Sequence, residues 1–251
     1  MAQAGLHAYI AFLFKKKLPF KKWFFISFLI GSIIPDIDLI LVPIGLLASL
    51  GIEDSILLLH RTFSHSIITL IIIYLSFLII YEIKKDINLL FICNGFCLGI
   101  LLHILIDIFL WFEPIHILWP LPIDEINFFN YIEISYFFKI FLLSSEFFLF
   151  RVLAWKLIKI IITNPLKNAD AINSLSKFMK VELVYLILFI ISSIYLDYSY
   201  IYYIFGIFYI PSLIFMILML YRIKDSINLY ALENKDEPRY IKNKSSITNI
   251  E

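Results

Sequence analysis

The chain has 251 residues, 61% hydrophobic and 16% charged, with 25 Phe and 15 Tyr. Soluble domains carry about 25% charged residues, and a water-soluble fold of this length has too little interior for so much apolar surface, so several segments must face lipid. The 21 basic and 20 acidic residues nearly cancel, which argues against a nucleic-acid binder.

The expected fold is all-α, a polytopic transmembrane helix bundle that opens with a short N-terminal helical hairpin. Leu6–Phe14 and Trp23–Ile34 are each shorter than the roughly 20 residues of a standard span, and they flank the basic, proline-containing tip Lys15–Lys22. Leu6–Phe14 precedes its lysines and has no small-residue cleavage site after it, so it reads as part of the fold rather than a signal peptide. Counted from Pro19 at about 1.5 Å per residue, His7 and the Asp36/Asp38 pair reach similar depth and can meet.

Further along, Ser66–Tyr81 is a span stopped by Glu82, Lys84 and Lys85. Ile87–Phe112 is another, broken only by His103 and Asp107. Cys93 and Cys97, four apart on one helix face, read as small core residues. Tyr136–Ile162 is a weaker span because Lys139, Glu146, Arg151, Lys156 and Lys159 interrupt it. Leu183–Leu196 and Tyr198–Tyr221 form a hairpin that turns near Asp197, and Arg222–Glu251 reads as a mostly disordered polar tail. The domain division is 1–135 for a membrane-embedded region that holds all five histidines, 136–221 for three further spans, and 222–251 for a polar tail.

The basic residues collect at Lys15–Lys22, at Lys84 and Lys85, across Lys156–Lys180, and after Arg222. Placing all four groups in the cytoplasm connects the spans without conflict. The expected location is the plasma (inner) membrane. The stretch before His60, the loop Glu113–Glu133 and the turn at Asp197 then face outward.

All five histidines lie between positions 7 and 116. The segment Gly31–Asp38 closes the hairpin, His60–Ser66 opens the next span, and His103 with Asp107 share one helix face at i, i+4. Separate segments thus deliver His7, Asp36, Asp38, His65, His103 and Asp107 to one membrane level. Unpaired carboxylates at such depth are costly, so a compensating cation is expected. Imidazole and carboxylate donors without thiolate suit zinc, manganese or iron in a hydrolytic site. Arg61 matches a phosphate oxygen, and either His60 or His65 suits a general acid or an orienting group.

The ordered motifs His7, Gly31-x3-Pro35-Asp36-x-Asp38, His60-Arg61-x2-Ser64-His65-Ser66, Leu98-Gly99-x3-His103-x3-Asp107 and Leu118-Trp119-Pro120 resemble the YdjM-type membrane-bound metal-dependent hydrolases over roughly the first half of the chain. The resemblance implies a polytopic helical protein with a divalent-metal site and a poorly defined substrate. A more distant similarity to zinc-dependent phospholipase C implies that His65, His103 and Asp107 hold one ion, and His7 with Asp36 or Asp38 another. The chain departs from the family pattern at Leu39, where a His is common, at Thr62-Phe63, where a Gly is lost, and at Trp111–Pro114.

The expected function is a metal-dependent hydrolase acting on a phosphoester or related bond of a lipid or amphiphile at the outer interface. In this reading His60 and Arg61 are catalytic, zinc is the first-choice metal, and membrane lipids are the partners. Ser64, Glu113, His116 and Trp119 are candidate substrate contacts. Their bland alternatives are a helix cap for Ser64, loop positions for Glu113 and His116, and, for Trp119 together with Trp111, an interfacial aromatic belt. The competing functions are a divalent-metal transporter, whose ligands belong near the midplane, and a membrane protein that keeps a metal for structure.

Overall fold

A computed structural model describes residues 3–19, 21–47, 51, 55, 59–123, 125–163 and 168–233. The helices are α1 (Ala4–Leu13), α2 (Phe24–Gly31), α3 (Val42–Leu47), α4 (Ile67–Lys84), α5 (Ile87–Leu110), α6 (Tyr136–Thr163), α7 (Ala169–Tyr195), α8 (Tyr198–Arg222) and α9 (Lys224–Glu233). The described residues contain no β-strand beyond an isolated bridge between Ile115 and Ile126. Among the described residues, five segments are long and apolar enough to cross a membrane: Phe24–Gly45, Ile67–Lys84, Ile87–Leu110, Ala169–Tyr195 and Tyr200–Arg222. The chain is a helical membrane bundle.

Local chemistry sets most boundaries. Ser66 caps α4 by accepting from the Ile68 amide at 3.1 Å, so the capping role expected as an alternative for Ser64 falls two residues later. Lys85, left-handed at φ 53°, ends α4. Asp86 then caps α5 by accepting from Asn88 N at 2.9 Å. After Gly31 the chain tightens into a 3-10 segment, Ile34–Leu41, that begins around Pro35. Proline lacks the N–H that a continuing α-helix needs in its interior. The tightened backbone buries both Asp36 and Asp38.

α6 is the centre of the bundle. Leu143, Phe147, Phe150, Leu153, Ala154, Leu157 and Ile161 are fully buried along one face, while none of α4 is buried. The charges that weaken Tyr136–Ile162 as a lipid-facing span thus belong to a helix packed inside protein. α7 starts at Ala169, well before the apolar run at Leu183, because Ala171, Leu175 and Phe178 continue its buried stripe. The polar tail expected from 222 likewise begins as a helix: α9 buries Ile227 and Ala231 in the core. Residues 234–251 of that tail lie outside the described residues. Cys93 and Cys97 are free and buried, as expected.

Small residues set the contact between α2 and α5. A Cβ on Gly95 would collide with the Phe24 carbonyl, and one on Gly99 with the Phe28 carbonyl and with Ser32 N at 2.8 Å. The Gly95-x3-Gly99 face of α5 therefore lies directly against the α2 backbone, the close approach such spacing permits in membrane helices.

Candidate metal centre

His103 follows Gly99 by one helical turn. The close α2–α5 crossing brings its Nδ1 to 2.8 Å from the Ser32 carbonyl oxygen. A carbonyl only accepts, so Nδ1 carries the proton and Nε2 offers a lone pair. His65 is held similarly: its Nδ1 lies 2.8 Å from Ser64 Oγ, whose hydroxyl donates to Asp38 Oδ2. That relay fixes the His65 ring and turns Nε2 toward His103, with the two Nε2 atoms 3.0 Å apart.

Two carboxylates close the group. Asp36 Oδ1 is 3.5 Å from His103 Nε2 and 3.9 Å from His65 Nε2. Asp107 Oδ2 is 3.7 Å from the former and 3.3 Å from the latter. Ligands about 2.0–2.1 Å from a tetrahedral zinc stand about 3.3 Å from one another, so these separations suit a shared cation. Asp36 Oδ1 and Asp107 Oδ2 are buried without a hydrogen bond, a costly condition for carboxylate oxygens. All four side chains are at most 1% exposed. The donor set fits zinc, manganese or iron.

His7, from the first turn of α1, stacks on the His103 ring with centroids 3.8 Å apart. Its Nε2 lies 3.1 Å from Asp107 Oδ1, and neither ring nitrogen is hydrogen-bonded. The resemblance implies His7 with Asp36 or Asp38; the carboxylate within ion-pair distance of His7 is that of Asp107, which shares a helix face with His103. Among the described residues two triads of potential ligands result, His7–His103–Asp107 and Asp36–His65–His103.

Asp38 stands outside both triads. Its Oδ1 accepts from His60 Nδ1 at 2.5 Å, and its Oδ2 accepts from Arg61 N at 3.2 Å as well as from Ser64. The other His60 nitrogen, Nε2, accepts from Arg61 Nε at 3.3 Å. Burial pushes the His60 pKa down to about 4 against the pull of Asp38, so this ring is neutral at physiological pH and ties Asp38 to Arg61. Burial also opposes charge on His65, but Asp107 and Asp38 outweigh it and raise the His65 pKa to about 9.

Arg61 adopts φ 65° and is only 3% exposed. Its guanidinium donates to the Glu113 carbonyl at 2.8 Å and lies 3.5 Å from Asp107 Oδ2 and 3.7 Å from Glu113 Oε2. It also sits 5.7 Å from the centre of the Trp111 ring. Trp111 is 1% exposed and donates to Glu113 at 3.3 Å, so it belongs beneath the cluster rather than to an interfacial belt.

The other candidates divide. Glu113 is brought to Arg61. His116 instead pairs with Glu125 at 3.2 Å in the loop. Trp119 is 41% exposed; its carbonyl accepts from Ser66 Oγ at 2.7 Å.

Three supporting residues escaped the sequence reading. Asn127 donates to the carbonyls of Trp111 and Glu113 at 2.8 and 2.7 Å. Glu146, inside the core helix, accepts from Gly5 N at 2.5 Å and fixes the start of α1 beside His7. Tyr209 of α8 donates to Asp36 Oδ2 at 3.3 Å and accepts from Ala4 N at 3.1 Å. Interrupted hydropathy flagged Glu146 only as a weakness in a span, and Tyr209 is one tyrosine among many in an apolar run.

A family model described as YdjM inner membrane protein matches residues 2–200, most of the chain and the whole of this cluster. No curated protein and no solved structure matches the chain.

Proposed function

The chain belongs to the YdjM inner membrane protein family; for a member carrying this cluster we propose a membrane-bound metal-dependent hydrolase. Its substrate in this reading is a phosphoester or related bond of a lipid or amphiphile at the non-cytoplasmic interface. The observation that carries the proposal is the facing pair of His65 and His103 Nε2 atoms, ringed by two buried carboxylate oxygens and adjoined by a buried arginine.

Asp36, His65, His103 and Asp107 would hold the ion, zinc by first choice. A bound divalent ion supplies Lewis acidity and lowers the pKa of water. The remaining chemistry belongs to the chain. Ser32 and the Ser64–Asp38 relay fix the histidine tautomers. His60 and the Glu113 carbonyl hold the Arg61 fork where it can neutralise a phosphate oxygen. His7, with both nitrogens unbonded beside Asp107 Oδ1, offers a place for a second ion or for the proton that water gives up.

A second reading, a metal kept for structure, draws on the same geometry: four buried protein donors describe a closed site, whereas a catalytic one keeps an open position. Arg61 favours the enzyme. It stands 3.5 Å from Asp107 Oδ2 and gives that carboxylate a second partner, so one coordination position can open without stranding a charge. A divalent-metal transporter, whose ligands belong near the midplane, is disfavoured because His65 precedes α4 and His103 and Asp107 lie in the last third of α5, toward one set of helix ends.

The test is metal content of detergent-purified protein beside a His103→Ala/Asp107→Ala variant, followed by hydrolysis assays on bis-p-nitrophenyl phosphate and on phospholipid vesicles. One or two equivalents of metal, lost together with hydrolysis in the variant, support the enzyme. Metal without hydrolysis of either substrate transfers the site to the structural reading. Absence of metal after add-back removes both.

A further inference from the structure

A cavity of about 380 Å³ lies far from the His/Asp cluster, among α1, α6 and α9. Its walls include Lys156, Lys159 and Thr163 of α6, Trp155 beside them, Phe12 of α1 and Tyr230 of α9, and none of its lining residues is acidic. The volume falls within the range of about 300–1,000 Å³ for small-molecule sites. α1 and α6 run side by side from the Gly5–Glu146 contact to the Phe12–Lys156 contact. Ten residues of helix separate Glu146 from Lys156, which puts the cavity about 15 Å along the axis from the level of His7.

The two ammonium groups are held by rings. Lys156 Nζ sits 4.4 Å from the Tyr9 ring centre and 5.1 Å from that of Phe12, and Lys159 Nζ sits 3.6 Å from that of Trp155. Among the described residues neither has a carboxylate within ion-pair distance. A ring face occupies one side of an ammonium, which carries three donors, so each lysine retains hydrogen-bonding capacity for an anion. Lys15 lies 2.9 Å over the ring of Tyr230, one of the lining residues. Lys16, Lys17, Lys21 and Lys22 of the hairpin tip follow close in sequence.

We propose that this cavity binds the phosphate headgroup of an anionic phospholipid on the basic side of the membrane. The position favours a lipid over free phosphate: the lysines stand near the end of α6, a 28-residue helix of the membrane bundle, beside exposed Trp155 and Ile162, an apolar surface that acyl chains fit. Basic pockets between membrane helices on the cytoplasmic side recognise anionic headgroups by this combination of charge and apolar wall. The site goes beyond the hydrolase reading and needs none of its residues. A lipid seated there would brace α9 against α1 and α6 at the end opposite the metal cluster.

The experiment titrates the full-length, detergent-purified protein with dioctanoyl-phosphatidylglycerol, dioctanoyl-phosphatidylcholine or inorganic phosphate, reading thermal unfolding and bound lipid by native mass spectrometry. Phosphatidylglycerol should raise the unfolding midpoint by a few degrees and the other two should not. Lys156→Gln/Lys159→Gln should weaken phosphatidylglycerol binding at least about tenfold, leaving metal content unchanged, and Lys156→Arg/Lys159→Arg should retain binding. Equal shifts with phosphatidylcholine or with phosphate, or undiminished phosphatidylglycerol binding in the Gln variant, would overturn the proposal. Should the Gln variant fail to fold, the wild-type comparison of the three ligands still decides it.

Discussion

Nε2 of His65 and Nε2 of His103 face each other across 3.0 Å, although each ring is anchored through its Nδ1. Two lone pairs so aimed need a cation between them, and without a metal that cation is a proton. The carboxylates raise the His65 pKa to about 9, so the proton resides there at neutral pH.

A metal ion must displace it. Protonation dominates below the raised pKa, so apparent zinc affinity should rise about tenfold per pH unit between about pH 6 and 8, with one proton released per ion. Calorimetry in buffers of different ionisation enthalpy measures both quantities. Affinity independent of pH would mean that His65 is not a ligand.

The Tyr209 hydroxyl is the anchor that occupies Asp36 Oδ2 and leaves Oδ1 to the cluster. Tyr209→Phe removes that hydrogen bond while keeping the ring against Phe205 and Phe150. Loss of such a supporting partner typically costs 10–100-fold in metal affinity, and a drop of about that size is expected, with little change in helix content. Competition against a colorimetric zinc chelator reads it. Wild-type affinity in the variant would show that Asp36 is held by its own backbone alone.

The sequence identified the His and Asp residues that the fold gathers better than it identified how they face one another. His103 and Asp107 at i, i+4 follow a local rule, and it holds in the fold. The pairing of His7 was less legible because depth along a hairpin fixes a level and not an azimuth: His7 and Asp36 share the level, yet α1 turns His7 onto the face that carries Asp107. Asp38 and His60 matched the pattern of a ligand and a catalytic group, but each spends its hydrogen-bonding capacity on the other and on Arg61. Glu146 and Tyr209 were hidden for a different reason. Hydropathy scores a residue against lipid, and both face protein.

Gly99 makes the α2–α5 contact that places His103. A methyl group there would collide with backbone atoms of Phe28 and Ser32, which cannot swing aside as a side chain does. Gly99→Ala should therefore separate the helices, at a cost of about 1–3 kcal/mol for overpacking, and lengthen the His103–Ser32 hydrogen bond one turn away. Thermal unfolding in detergent together with metal content would register both effects. A variant with a lowered midpoint and full metal content would show that the His103 anchor tolerates the shift.

Arg61 separates the enzyme from the structural metal most sharply. Its fork reaches His60 Nε2, the Glu113 carbonyl and Asp107 at once, a geometry that one lysine ammonium cannot reproduce. If the group neutralises charge on a phosphoryl transition state, Arg61→Lys should lower kcat by about 10²–10³, the usual loss when a preorganised donor is removed. KM should change little and bound metal should stay near wild type, because Asp36, His65, His103 and Asp107 all remain. If Arg61 serves only to neutralise Asp107, the lysine supplies the same charge and hydrolysis survives. Steady-state kinetics on a phosphodiester, normalised to bound metal, distinguishes a guanidinium that acts on substrate from one that balances a buried carboxylate.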